Sequence, residues 1–346
     1  MRKVLIPLAA AVLLSLAWSG PAGSAPGSPG VLGVPGVNGG AATDTTLSYG
    51  PIPLPPATGD APGYSGGFLP VVPMPCTDCY LTGTSIDLVY ADGTSANLDT
   101  GVMLHHVVVF NSGRPDATCA PDTPVGFMGE RFFAAGNERT SGTLPAGFGY
   151  HLGHDPVRGV LEIMNHSPEA KTVYLRTTVS HVPDSESGMK AVTPVWMDEN
   201  NCGTSQYSAP AGQSNQVARW TSTITGRVIA AGGHVHDGGL RTVLANETTG
   251  AHLCTSHAGY GTNPAYAGSV ESMTTCIWDR LGTVRKGEVL AIDTHYHLAE
   301  ARSDVMGIML AYVYETDDLA GGTPAPAEPT PPPAASTPPG GHHHDH

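Results

Sequence analysis

Basic residues are scarce in this 346-residue chain: 16 Lys and Arg stand against 30 Asp and Glu, a net charge of −14, and charged residues of all kinds make up only 13%. Neutralising a phosphate backbone requires a basic stripe, so nucleic acid is excluded as a partner. Long apolar runs are scarce too. Beyond residues 4–17 no stretch approaches the roughly 20 apolar residues of a membrane span, and no span is expected in the mature chain. No segment keeps a 3.6-residue apolar period over three turns, and 44 Gly with 31 Pro punctuate the chain, which excludes long-helix and coiled-coil architectures. What the sequence holds in unusual supply is His, 16 residues, alongside 6 Cys.

The two ends read as separate from the fold. Arg2 and Lys3 precede an apolar run, Val4 to Ala17, and then small residues and prolines. This is the pattern of a secretory signal peptide, expected within residues 1–25 and implying a secreted, extracellular protein. Residues 20–75 contain 25 Gly or Pro and few charges, so residues 26–75 are expected to be a flexible leader. Residues 320–346 read as a Pro-rich linker that ends in His342, His343, His344, Asp345 and His346. That end is a metal scavenger, a purification tag or an incidental polar end. The folded part is expected to run from Cys76 to about Leu319 and to carry most of the negative charge.

Six Cys behind an export signal favour three structural disulfides. Only Cys254 with Cys276 can be suggested as a pair, because they flank one loop-rich stretch. Cys76 and Cys79 also permit a redox-active pair or half of a zinc knuckle, although no second CxxC completes a zinc site. Short runs rich in Val, Ile, Thr and Tyr recur: residues 85–90, 102–110, 160–164, 172–181, 217–225, 227–231, 240–245, 289–294 and 305–314. Gly, Pro, Asn and Asp clusters separate them, so the chain reads as all-β, with β-sandwiches as the expected architecture. Residues 183–200 are the expected joint between two halves.

Twelve of the 16 His lie in the folded part, and they cluster. His234 and His236 are two apart at the end of an apolar run, so on a strand their imidazoles share a face. Gly232 and Gly233 before them leave room for close approach. His295 and His297 repeat the spacing and stand as second-choice ligands. His105 and His106 are adjacent, so they serve one ion only if the strand bulges or ends there; otherwise one is buried and the other exposed.

Four segments occur in a telling order: LHHVVVF around His105 and His106, VLEIMNH ending at His166, His234-Val235-His236, and SDVM ending at Met306. In this the chain resembles the copper type II, ascorbate-dependent monooxygenases, the family of peptidylglycine α-hydroxylating monooxygenase and dopamine β-monooxygenase, over residues 76 to 315. The resemblance implies two packed antiparallel β-sandwich, jelly-roll-like domains, here residues 76–185 and 186–319, holding two coppers across a solvent-filled cleft. It assigns His105, His106 and His166 to an electron-donating copper. His234, His236 and Met306 would form the catalytic, oxygen-binding copper, with dioxygen and a small molecule as substrates and ascorbate as reductant. The donor types agree with this assignment. Three imidazoles suit copper in either oxidation state, and a thioether in place of one favours Cu(I).

Four positions depart from the family. The arginine that holds a peptide carboxylate is replaced by Gly232, and its polar helpers by Ile308 and Leu310, so peptide amidation is not expected. The family glutamine two residues before His166 is Met164, either an additional soft ligand or a buried strand residue. Two other functions compete: a non-catalytic copper-binding or sequestering protein, and a zinc hydrolase using HVHDGG with Asp237 as acid or base.

Overall fold

Alternation of apolar and polar residues decides which face each segment buries. In strand β9 (Lys171–Pro183), Val173, Leu175, Thr177 and Val179 point inward, while the residues between them are partly exposed. The computed structural model describes residues 42–139, 141–185, 188–261, 263–266 and 268–326. The expected signal peptide and the His-rich end lie outside the described residues. Twenty strands and no α-helix occur among the described residues, which fall in one compact unit. No helix there is long and apolar enough to cross a membrane.

Four sheets make up the fold. The first runs β1 (Thr43–Leu54), β9, β3 (Cys79–Val89), β7 (Phe148–Leu152) and β10 (Lys190–Ala191), with β6 (Gly142–Thr143) beside β3. The second runs β2 (Gly63–Leu69), β8 (Val157–Asn165), β4 (Val102–Asn111) and β5 (Glu130–Gly136). The third runs β11 (Thr193–Asp198), β20 (Arg302–Glu315), β14 (Gly226–Val235) and β18 (Thr275–Val284), with β12 (Gln206–Ala209) beside β20. The fourth runs β13 (Gly212–Thr221), β19 (Val289–Leu298), β15 (Gly239–Asn246), β16 (Ala251–Tyr260) and β17 (Val270–Met273). Pairing is antiparallel apart from the short β10–β7 contact.

The first two sheets, built from residues 43–191, enclose one core that includes Ile86, Leu88, Leu104, Val107 and Ile163. The third and fourth, from residues 193–315, enclose another that includes Val228, Leu244, Leu290, Ile292 and Met309. Leu104 is fully buried, and its replacement by Ala would cost about 2–5 kcal/mol through lost burial and the cavity left behind.

The third sheet is covered on both faces, which accounts for its near-continuous apolar runs RVIAAGG and IMLAYVY. Met309, Ala311 and Val313 of β20 face the second core, whereas Met306 and Ile308 pack with Trp196, Val108 and Ala134 against the first half. Ile229 of β14 even joins the first core. Polar groups reinforce this docking. Arg131, buried in β5, pairs with Asp116 at 2.8 Å and reaches Asp198 of β11 at 3.5 Å. Tyr312 Oη donates to the Phe132 carbonyl at 2.7 Å, and the disulfide Cys119–Cys202 joins the two halves covalently.

All nine runs read from the sequence coincide with strands, although the run at 217–225 ends at Thr221. The expected flexible leader is corrected over its described part. Residues 43–54 and 63–69 are β1 and β2, because the Gly and Pro there fall at strand ends and along an edge that tolerates them. The expected joint at 183–200 contains β10 and β11 and so closes one sheet and opens another. The start of the expected C-terminal linker is pinned, since Ala325 N–H donates to the Arg280 carbonyl at 2.9 Å. Cys254–Cys276 is bonded as expected, and Cys76 and Cys79 bond to each other, which ends the zinc-knuckle reading.

Candidate metal centre

His105 and His106 sit where β4 meets β8, and the ladder slips there: Leu104 opposes Ile163 while His106 opposes Glu162. One extra residue in β4 is a bulge, which swings adjacent side chains toward one face. Both imidazoles consequently reach the same carboxylate oxygen, Glu162 Oε2, with Nδ1 at 2.9 Å for His105 and 3.3 Å for His106. An ionised carboxylate only accepts hydrogen bonds, so both rings donate from Nδ1 and turn Nε2 away from Glu162.

The second half supplies His234, near the end of β14, and His236 just beyond it. Their rings share a face, with centroids 5.4 Å apart. His236 Nε2 lies 3.0 Å from His106 Nε2. Ligand nitrogens of His105, His106 and His236 all fall within 4.8 Å of one another. His234 stands beside them, its ring centroid 5.3 Å from that of His106. Its Nδ1 lies 2.9 Å from Glu138 Oε1, and its Nε2 is buried with no hydrogen-bond partner.

Burial sets the charge of these groups. It pushes His106 down to about 3, against the raising effect of Glu162, and holds His236 well below its ordinary value. Both imidazoles are neutral at physiological pH, with lone pairs available to a metal. For His234, burial acts downward, but the Glu138 carboxylate outweighs it and raises the imidazole. Hydrogen bonds from His105 and His106 hold the Glu162 carboxyl well below the usual range.

The structure thus brings His105 and His106 of the expected first site together with His236 of the expected second, and places His234 beside them. His166 is not in the converging group. It follows β8, and its N–H donates to the carbonyl of Gly101, four residues before His105, at 2.7 Å. Met306 is closer. Ile308 opposes His234 on the β14–β20 ladder and Gly307 opposes Val235, so Met306 comes level with His236 on the same face. Tyr296 ties the two together, its hydroxyl accepting from His236 N–H at 2.8 Å and donating to the Met306 carbonyl at 2.6 Å. Of the second-choice ligands, His295 lies near Asp293 at 3.2 Å. Asp237, weighed as a hydrolytic acid or base, accepts from Ser269 Oγ and Val270 N–H at 2.7 and 2.9 Å. It is a structural acceptor.

Sequence reasoning missed Glu162, Glu138 and Tyr296. A carboxylate inside the apolar run VLEIMN was a signal for Glu162, since a lone charge on a half-buried strand calls for a partner. Glu138 lies in a turn and gave none.

Beside the cluster opens a pocket of about 780 Å³, counting solvent at its mouth, between the two halves. His106 and His234 form one wall; Val108, Phe133, Trp196, Ile308 and Leu310 are among its apolar lining. Gly232 also lines it, and a Cβ there would lie 3.1 Å from the Thr275 methyl.

Residues 167–316 match the family described as Stress up-regulated Nod 19. "Probable copper-dependent oxygenase M1" of Phoma sp. (strain ATCC 20986 / MF5453) is 29% identical over 262 residues, 70% of this chain and 65% of that protein. The chain therefore spans just under two thirds of that relative's length. "Probable copper-dependent oxygenase clz3" of Cochliobolus lunatus is 28% identical over 249 residues, 66% of this chain and 77% of that protein. Among solved structures, the major capsid protein P2 of bacteriophage PM2 aligns over 81% of this chain and 100% of that one at 9% identity. Its TM-score of 0.31 carries no argument. These similarities support the resemblance read from the sequence at the level of copper-dependent oxygenases in general, and not of the peptidylglycine and dopamine enzymes in particular.

Proposed function

We propose that this chain is a secreted copper-dependent oxygenase that hydroxylates a C–H bond of a small, neutral, apolar molecule, with ascorbate as electron donor. The observation that carries this reading is the meeting of His105, His106 and His236 at the wall of an apolar pocket. The donor set fits copper. Neutral imidazoles serve both of its oxidation states, and the thioether of Met306 on the same face favours the reduced one. The 3.0 Å between His106 Nε2 and His236 Nε2 suits neighbouring ligands of one ion, about 2.9 Å apart on a square and about 3.3 Å on a tetrahedron for ordinary metal–imidazole bonds. The buried, unpartnered Nε2 of His234 is a further donor in waiting.

Copper, when bound, supplies dioxygen activation and one-electron chemistry that side chains lack. The chain's own residues do the rest. Glu162 and Glu138 orient the imidazoles, and Val108, Trp196, Ile308 and Leu310 exclude water and hold the apolar substrate against His106 and His234. The overall reaction places one dioxygen atom in the substrate and the other in water, with two electrons and two protons from ascorbate. Gly232, Ile308 and Leu310, where the peptide-processing enzymes grip a carboxylate, all line the pocket, which argues for a neutral substrate. Three disulfides favour an oxidising compartment.

One shared copper at the composite cluster is the arrangement the geometry supports best. The two-copper arrangement implied by the peptidylglycine-type resemblance needs a second set, for which His234 with Met306 is the natural core. Copper analysis of protein lacking residues 342–346, combined with oxygen uptake in ascorbate across a panel of neutral apolar molecules, tests the reading. About one copper per chain and substrate-dependent uptake are expected. Two coppers would restore separate centres, copper without turnover would favour sequestration, and zinc at full occupancy would overturn the copper reading.

A further inference from the structure

We propose that Glu138 is a positioning residue that reaches from the first half of the chain to fix the His234 imidazole of the second as a copper ligand, so that the full ligand set exists only when the halves are docked. The inference rests on the copper reading of this site. Its basis is the 2.9 Å contact from His234 Nδ1 to Glu138 Oε1 and the buried, unpartnered Nε2 on the opposite side of the same ring. A carboxylate at Nδ1 selects the tautomer that bears its lone pair on Nε2. Metal bound at Nε2 polarises the ring and strengthens the Nδ1–H···carboxylate bond in return.

Several features hold Glu138 in place. A turn closes by Arg139 N–H donating to the Gly136 carbonyl at 3.0 Å, and Arg139 takes a left-handed φ of 49°. Its guanidinium anchors the turn on Asp87 at 2.6 Å and Ser95 at 2.8 Å. Gly136, opposite His106 on the ladder, completes the arrangement. A Cβ there would sit 2.6 Å from Glu138 Oε2 and 2.8 Å from His234 Cε1, so only glycine lets the carboxylate and the imidazole approach each other. A carboxylate with only 4% of its side chain exposed would be a costly packing residue without such a partner.

Two measurements test this on the full chain. In the metal-free protein, at a pH high enough to leave the ring neutral, long-range ¹H–¹⁵N spectra should show His234 as the Nδ1–H form. Glu138→Gln, whose carbonyl still accepts, should keep that form, and Glu138→Ala should lose it. In Cu(I) competition with a chromogenic chelator, Glu138→Ala should weaken copper about 10–100-fold, with Glu138→Gln in between. Neither substitution should weaken it by more than about 2-fold in a His234→Ala background, because a residue acting through His234 has nothing left to act on. An unchanged tautomer in Glu138→Ala, or losses that multiply with that of His234→Ala, would overturn the proposal. If Glu138→Ala does not fold, Glu138→Gln alone decides through the same cycle. A wild-type chain that binds no copper would defeat the functional reading, while the tautomer result would still judge the Glu138–His234 link.

Discussion

Glu162 and Glu138 do the same chemical work at the two sides of the cluster, and they are built differently. Glu162 sits across a β-ladder from the histidines it orients, in the same sheet, with 34% of its side chain exposed and Tyr64 Oη at 3.4 Å from Oε1. Glu138 sits in a turn, buried, and orients a histidine that belongs to the other half of the chain. The first arrangement needs only the register of β4 with β8. The second needs the halves to be docked, through the Arg131–Asp198 contact, the Cys119–Cys202 link and the apolar contact of Val108 and Ala134 with Trp196, Met306 and Ile308. A centre assembled in this way has one arm preset by local pairing and one conditional on tertiary structure.

The largest expected effect breaks the meeting point of both arms. His106→Ala removes the imidazole that touches Glu162 and His236, and copper affinity should fall about 100-fold or more, beyond the loss typical of a carboxylate behind a ligand. Equilibrium dialysis measures it; retained affinity would mean that the metal lies elsewhere.

Next, Cys119→Ser with Cys202→Ser unties the halves. Stability should fall by about 2–4 kcal/mol in denaturant titration. The conditional arm should suffer first: in metal-free spectra His234 should lose its single tautomer while His105 and His106 keep theirs. Equal disturbance of all three would erase the distinction between the arms.

Glu130 is a control, a buried carboxylate of the first half whose partner is a phenol, Tyr150 Oη at 2.6 Å, and not an imidazole. Burial pushes it up to about 6 from 4.5, opposite in direction to Glu162. The folded state therefore holds its proton more tightly than the unfolded chain. Stability should be greatest below pH 4.5 as far as this group is concerned, fall by about 2 kcal/mol as pH rises to about 6, and stay level above. Urea titrations across that window should show the slope in the parent protein and its loss in Glu130→Gln. A slope that survives the substitution would assign it to another group.

The smallest effect concerns Tyr64→Phe, which removes one long, half-exposed hydrogen bond to Glu162. Copper affinity should change by no more than about 2–3-fold, since an exposed hydrogen bond contributes under about 1 kcal/mol. A loss as large as that expected for Glu138→Ala would show that the preset arm depends on its outer support as much as the conditional one does.

Much of this molecule is readable along the chain. The Val- and Thr-rich runs are strands because β-branched side chains pack on a pleated, half-buried surface whatever the partner. The pairing of Cys254 with Cys276 is local in sequence, and so is the shared face of His234 and His236, which follows from the two-residue period of a strand. The requirement that His105 and His106 need a bulge was also legible, and the ladder has one. Composition misled at residues 43–69, where Gly and Pro counts concealed two paired strands. Counts average over positions, while pairing depends on which N–H groups face a neighbour.

The sequence by itself determined an all-β chain with three disulfides, no basic face and a set of histidines whose spacing suits metal. It could not determine which histidines meet. His106 and His236 are 130 residues apart, and their 3.0 Å contact depends on how two apolar sheet faces dock. That docking arises from non-directional burial summed over many side chains, so no short motif encodes it. The meeting of His105 and His106 with His236, the placing of Glu138 on the opposite half from its histidine, and the apolar pocket between them were decided by tertiary structure alone.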